Sequence, residues 1–375
     1  MSSVFFRKNS VTISLILILF LAHGVRADRK TLVEDIEDGY LDDYTKIEAA
    51  FILSGVTNSD SMKTYLNWYN ELLTKIKSFS FDIDDRVGSA RNVFMYLHSE
   101  WLKTYATGST TLIDIVHKKE YNCVSATILY NIICEDLDWS CSAFETPSHV
   151  YTIFNDFTQN LMVENTSSMG FNILKNLKSY SKYLAQYYPQ NEVLRIGLDK
   201  LYYYENSRGR LINNTELLGL LAYNRAYLAK KNNDYKASYE YVLLAQEFNR
   251  DSRSNVNFEI GLYYSWGSQL FSNNDYISAF SVFADGYYRY PDNEDFLKNT
   301  IASFFRSLQY CWQAKEWPES ARLMAEINDL DILEERDYQA LRQYLVNWEH
   351  YFKINKDQKS SEQVSRYIEM FHLVK

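Results

Sequence analysis

Glycine and proline are scarce, 12 and 4 among 375 residues. That scarcity excludes a collagen-like chain and a Pro/Gly-rich low-complexity chain. Cysteine is scarce too. Cys123, Cys134, Cys141 and Cys311 are too few and too widely spread to form a disulfide framework. Cys134 and Cys141 are close enough in sequence to pair in an oxidising compartment, and the sequence leaves that pairing open. Basic residues are outnumbered, 39 Lys and Arg against 48 Asp and Glu, giving a formal charge of -9. The broad basic footprint of a nucleic-acid binder is therefore missing. Apart from one segment near the start, long apolar runs are absent, which excludes a multi-span membrane protein. His98, His117, His350 and His372 lack the spaced Cys or His partners of a zinc site. Neither a phosphate-cradling G-x-x-x-x-G-K-[ST] run nor a G-x-S-x-G nucleophile elbow occurs. No cofactor or metal is called for.

What is present is a hydrophobic content of 46% with 32 Tyr and 21 Phe, a composition suited to helices packed through large amphipathic side chains. The first 27 residues read as an address. Arg7 and Lys8 precede an apolar run from Val11 to Ala22, and Val25-Arg26-Ala27 offers a small-x-small cleavage site. Twelve apolar residues fall short of the 18 or so that a spanning helix needs. Export with cleavage is the expectation, to the periplasm, cell envelope or outside; the alternative is an uncleaved segment that tethers the chain to a membrane. Cleavage would remove three basic residues and no acid, leaving a still more acidic protein.

Along the remainder, apolar residues recur at three and four spacing from Lys30 to Ile115, as in Ile47, Ala50 and Phe51, then Tyr65, Trp68, Tyr69, Leu72 and Leu73. This pattern predicts three or four amphipathic helices. Cys123 to Leu137 reads as a compact apolar helix. Three short strand-like runs follow: Trp139 to Glu145, His149 to Phe154 and Leu161 to Glu164, with a turn at Asn155-Asp156 and Gln159-Asn160. From Thr215 onward the chain repeats. Asn233-Asp234-Tyr235, Asn274-Asp275-Tyr276 and Lys315-Glu316-Trp317 put aromatic residues 41 apart. Ser238, Ala279 and Ser320 give small residues at the same interval, and Val242, Phe283 and Met324 give large ones. Such alternation describes paired helical hairpins. Three hairpins are expected, with 336–353 and 362–372 as a terminal capping pair.

The residues that could carry chemistry lie in the middle. Cys123 opens its helix, where unsatisfied amides and the positive end of the dipole stabilise a thiolate. His149 stands on a predicted strand and Glu164 at the end of the next. If those strands pair, a nucleophile, a base and an orienting carboxylate meet, which is the triad logic of nucleophilic catalysis. Asn165-Thr166-Ser167 and Asn213-Asn214-Thr215 also fit the glycosylation acceptor pattern. Tyr202-Tyr203-Tyr204 could line a binding face or pack under the repeats.

Three segments resemble the Cys, His and Asp blocks of the bacterial transglutaminase-like superfamily: Asn122-Cys123-Val124-Ser125-Ala126-Thr127, Pro147-Ser148-His149-Val150-Tyr151, and Val163-Glu164-Asn165-Thr166. Ile47 to Ser54 and Thr110 to Val116 look like its helical lead-in, so the resemblance covers roughly residues 45 to 170. It implies a papain-like core with Cys123 as nucleophile, His149 as general base and Glu164, where the family carries Asp, as the orienting acid. Tyr263 to Pro291 resembles the tetratricopeptide repeat through Gly267, Ala279, Phe283 and Pro291. The expected organisation is a signal peptide at 1–27, an α+β transglutaminase-like domain at 28–206 with a small antiparallel sheet, and an all-α helical-repeat domain at 207–375. The expected function is cysteine-dependent amide hydrolysis or acyl transfer on a protein or peptide held by the repeats. The alternative is a catalytically inert scaffold whose repeats bind a protein partner.

Overall fold

The computed structural model describes residues 27–82, 84–156, 159–173 and 177–371. All but Ala27 of the segment expected to be a signal peptide, and His372, lie outside the described residues. Among the described residues no helix is long and apolar enough to cross a membrane. The protein is mostly helical with a small antiparallel sheet. It forms two compact units, one ending at Asn255 and one comprising Val256–Lys375.

In the first unit, helices α1 (Ala27–Asp35), α2 (Lys46–Ser54), α3 (Ser59–Lys77) and α4 (Arg86–Glu100) lead to the short strand β1 (Thr104–Tyr105). Helix α5 (Leu112–Lys118), strand β2 (Glu120–Tyr121), parallel to β1, and helix α6 (Cys123–Asp136) follow. Strands β3 (Cys141–Glu145), β4 (Val150–Asn155) and β5 (Asn160–Val163) come next, then α7 (Leu177–Leu184), a 3-10 turn, α8 (Gln190–Ile196) and α9 (Leu201–Asn206). Strand β6 (Arg210–Ile212) and the hairpin α10 (Asn214–Lys231) and α11 (Tyr235–Phe248) complete the unit.

The caps that start these helices are legible in the residues. Thr45 and Glu48 form a reciprocal capping box at α2, Thr111 and Asp114 do the same at α5, and Asn58 caps α3. Helix α6 is mostly apolar, and every residue from Val124 to Cys134 is buried. A helix of that kind belongs in the middle of a core. It packs against β3 and β4 on one side and meets α2, α4, α5 and α10 elsewhere. The sheet has the order β5-β4-β3-β6, antiparallel throughout. Alternation along β4 separates its two faces. Val150, Thr152 and Phe154 are buried at register positions shared with the α6 side, while Tyr151 joins Met162, Tyr180, Leu184 and Leu201 in a second cluster under α7 and α9.

Strand β6 was not anticipated from the sequence, being only three residues long, and Arg210 explains its hold. Its guanidinium pairs with Glu145 at 3.0 Å and Glu216 at 3.1 Å and also donates to Asn249 Oδ1, tying the strand to β3 and to the α10–α11 hairpin. That hairpin, expected with the repeats, belongs to the first unit. Arg225 on α10 donates to Leu53 O at 2.7 Å, Asn224 to Thr110 Oγ1 at 2.9 Å, and Asn131 on α6 to Asn214 Oδ1 at 2.7 Å.

The second unit holds most of α12 (Arg253–Ser272), then α13 (Tyr276–Arg289), α14 (Glu294–Ala314), α15 (Trp317–Leu330), α16 (Glu335–Ile354) and α17 (Gln358–Met370). Its core runs from Phe280 and Phe304 through Leu323, Met324 and Leu345 to Trp348 and Phe371. The left-handed residues that turn each helix pair are Asn233, Asn274, Lys315 and Lys356, with φ of 60°, 62°, 61° and 58°. They fall at the 41-residue interval, and Asp234, Asp275 and Asp357 cap the second helix of their pairs. The expected terminal capping pair is therefore a fourth period of the same hairpin. Ser238, Ala279, Ser320 and Ser361 extend the small-residue series through it. At Gly267 a Cβ would meet the Phe283 ring at 2.6–2.8 Å. We expect Gly267→Ala to lower the stability of the 256–375 unit by about 1–3 kcal/mol, read as a reduced thermal midpoint that Phe283→Leu partly restores.

Candidate active site

Helix α6 presents Cys123 as its first residue. Asn122 caps the helix by accepting from the amides of Val124 at 2.9 Å and Ser125 at 3.1 Å, and Ser125 Oγ in turn accepts from Asn122 N at 3.0 Å. Ser125 also donates to Ser109 O at 3.0 Å, which pins the cap to the loop before α5. The cap does not use the Cys123 amide. Cys123 is half-buried.

His149 ends the four-residue loop of the β3–β4 hairpin, in which Glu145 pairs with Val150. Within that loop Thr146 N donates to His149 O at 2.8 Å and His149 N donates to Thr146 Oγ1 at 3.1 Å. Glu164 follows directly on β5, which pairs with β4. The sheet thus carries an imidazole and a carboxylate on neighbouring strands, and His149 Nε2 meets Glu164 Oε2 at 2.8 Å with both side chains wholly buried.

The second carboxylate oxygen is also engaged. Glu164 Oε1 accepts from Thr166 N at 3.1 Å and from Thr166 Oγ1 at 2.5 Å, and the Tyr183 hydroxyl lies 2.5 Å from that same Thr166 oxygen. Gly170 makes this turn close, since a Cβ there would come within 1.9 Å of Glu164 O. The Tyr183 ring stands edge-on to that of His149, with centroids 6.0 Å apart.

The electrostatics follow from this packing. Burial alone would push the His149 imidazole down, but the Glu164 charge, and after it the neighbouring Cys123 thiol, outweigh burial and hold it well above the ordinary histidine value. Burial would likewise raise Glu164. The His149 charge and the Thr166 donors outweigh it and hold the carboxyl below its ordinary value. Behind the pair, burial dominates His98 and lowers it to about 4, against the raising effects of Leu102 O, Glu164 and Asn165 O. Tyr121 is pushed up to about 12 by burial and by Glu164.

Cys123 and His149 line one cavity of about 110 Å³ together with Val124, the loop Glu145–Val150, and Leu220, Tyr223, Asn224, Ser254 and Asn255. With Nε2 on the carboxylate, Nδ1 is the ring nitrogen that can take the thiol proton. The three residues singled out from the sequence are thus brought together: the imidazole is bonded to the carboxylate and shares a cavity wall with the cysteine. The α10 wall was missed by sequence reasoning, which placed Leu220, Tyr223 and Asn224 in a separate domain. Their periodicity marked a helix and gave no sign of which neighbour it covers.

Other expectations resolve more simply. Cys134 and Cys141 are free thiols, Cys134 fully buried and Cys141 donating to Asn131 O at 3.5 Å. Asn165 is 1% exposed and donates to Thr127 and Thr152 from inside the core, so it cannot accept a glycan in the folded chain. Tyr202-Tyr203-Tyr204 lies on α9, where Tyr202 packs on the Tyr151 cluster and Tyr203 is exposed. Among the described residues no group of three or more His, Cys, Asp and Glu is arranged to hold a metal ion. No family model matches the chain, and no curated protein matches it.

Glu164, held below 4.5, contributes stability that is present above pH 4.5 and is lost as pH falls through its folded value. His149, held above 6.5, contributes stability that is complete below pH 6.5 and is lost as pH rises through its folded value. The stability difference between wild type and Glu164→Gln should therefore plateau between pH 4.5 and 6.5, at about 3 kcal/mol for a broken buried pair, and shrink on both sides. Thermal or urea unfolding across pH measures it, and a flat difference would contradict the pairing.

Proposed function

We propose that the first unit is a transglutaminase-like, papain-type cysteine enzyme that cleaves or transfers acyl groups of protein or peptide amides. The observation that carries this reading is the buried His149–Glu164 pair at 2.8 Å whose ring lies beside the Cys123 thiol at a helix start. In that reading the thiol proton already resides on His149 Nδ1, in keeping with an imidazole held above its ordinary value by Glu164, and the sulfur anion attacks the carbonyl carbon. A C–S bond forms, and the carbonyl π pair moves to oxygen, where the Cys123 amide, outside the Asn122 cap, can donate to it. The tetrahedral intermediate collapses, the C–N bond breaks, and the imidazolium returns its proton to the leaving amine. Water or a second amine, deprotonated by His149, then releases the acyl group from sulfur. Glu164 keeps the ring oriented and supports its charge throughout.

Export to the cell envelope or beyond, by way of residues 1–27, remains part of the proposal, as does capture of a protein or peptide by tetratricopeptide-like hairpins. A second reading has its own support. The cavity of about 110 Å³ is small, and Leu220, Tyr223 and Asn224 crowd its wall, which suits a domain that keeps the fold and binds partners without turnover.

Alkylation by iodoacetamide at pH 6 separates the two. If the imidazole activates the thiol, Cys123 should be labelled fastest among the four cysteines and His149→Ala should slow it by about 10²-fold or more; Cys123→Ser should abolish the fast site. Equal rates in wild type and His149→Ala would leave the partner-binding reading in its place.

A further inference from the structure

We propose that Glu205 is a positioning residue for His149, holding the imidazole against Cys123 through the β3–β4 loop. The proposal rests on the reading of Cys123 and His149 as a working thiol–imidazole couple. Glu205 lies on α9 and is 1% exposed. Its Oε1 accepts from Thr146 Oγ1 at 2.6 Å, from Ser148 Oγ at 2.7 Å and, at 3.4 Å, from Ser148 N. Thr146 Oγ1 is the same oxygen that accepts from His149 N. One carboxylate oxygen therefore grips the residue before and the residue three before the imidazole, and the grip reaches the His149 backbone through a single hydroxyl.

Glu205 Oε2, by contrast, is buried without a hydrogen-bond partner among the described residues. A buried carboxylate satisfied on one side only is costly. An apolar residue would pack on α9 with less penalty, so what the side chain adds is an acceptor oxygen to which three donors are drawn. The platform itself is fixed. Tyr151 on β4 donates its hydroxyl to Asn206 Oδ1 on α9, and Asn206 Nδ2 donates to Tyr202 O at 2.8 Å. The loop carrying the base is thus fastened at both ends, by strand pairing on the β4 side and by α9 across the Thr146–Ser148 segment. Without that fastening the loop is free to carry the ring away from the sulfur, and displacement of about 1 Å is enough to cost a reaction of this kind up to 10²-fold.

The test is iodoacetamide labelling of the full chain at pH 6, with all four cysteines quantified by peptide mass spectrometry. Cys134 and Cys311 are fully buried and serve as internal reporters of an intact fold. Glu205→Leu should slow Cys123 by about tenfold or more while Cys134 and Cys311 stay protected. Glu205→Gln, which keeps an acceptor oxygen at the same reach, should stay within about threefold of wild type. Wild-type rates in Glu205→Leu, or equal losses in Glu205→Leu and Glu205→Gln, would overturn the proposal while leaving the thiol–imidazole reading standing. If Glu205→Leu exposes Cys134, Thr146→Val decides: a slowed Cys123 supports the role and an unchanged rate overturns it. Should wild-type Cys123 react no faster than Cys141, the underlying reading falls and the positioning role falls with it.

Discussion

Two opposite charges with no exposed surface, His149 and Glu164, set the terms on which the rest of the first unit is built. Removing a carboxylate and an imidazolium from water costs several kcal/mol each, and their mutual attraction offsets this only when geometry is good and the remaining lone pairs are used. Each neighbouring feature serves that condition. Adjacent antiparallel strands bring the two groups to 2.8 Å. Thr166 occupies the second carboxylate oxygen through both its amide and its hydroxyl, and the glycine at 170 lets the turn close tightly enough to do so. The helix bearing Cys123 is buried along most of its length and packs against the same sheet.

The hydrogen-bonded interior around the pair extends this logic. Asn165 donates to Thr127 and Thr152, Thr152 donates to Asn131, and Asn131 donates to Asn214 at the start of α10. These buried polar groups link the carboxylate turn, the central helix, the sheet and the α10–α11 hairpin in one chain of contacts. Polar groups at such depth demand partners in fixed directions, so they select one arrangement of elements where apolar packing would tolerate several. The hairpin is consequently integral to the unit, through Asn214, Asn224, Arg225 and Glu216, although its sequence carries the same period as the helices that follow.

How much of this could be read in the residues depends on the range of the interaction. Local signals served well: Asn122 before Cys123 marked the helix start, alternation marked β3 to β5, and the Asp and Asn residues at the turns marked the hairpins. The order of Cys123, His149 and Glu164 along those elements was sufficient to anticipate their meeting, and the extra methylene of Glu164 does not prevent it from reaching the ring. Signals that act across the fold were lost. Glu205 sits 56 residues beyond His149 in number and looks like any acid in a helix, and strand β6 owes its place to Arg210 and its partners. The fourth hairpin was hidden because Gln358 stands where the earlier three carry an aromatic residue, although Asp357 and Ser361 keep the interval.

Arg210 and the hydrogen bonds of α10 bear on how this chain can be divided. A boundary drawn from repeat periodicity would sever the molecule near residue 207 and strip the sheet of β6 and the cavity of Leu220, Tyr223 and Asn224. Recombination that exchanges the helical tail for another module must spare everything up to Asn255, so the first hairpin travels with the cavity lined by Cys123 and His149, and only the later three are free to be swapped.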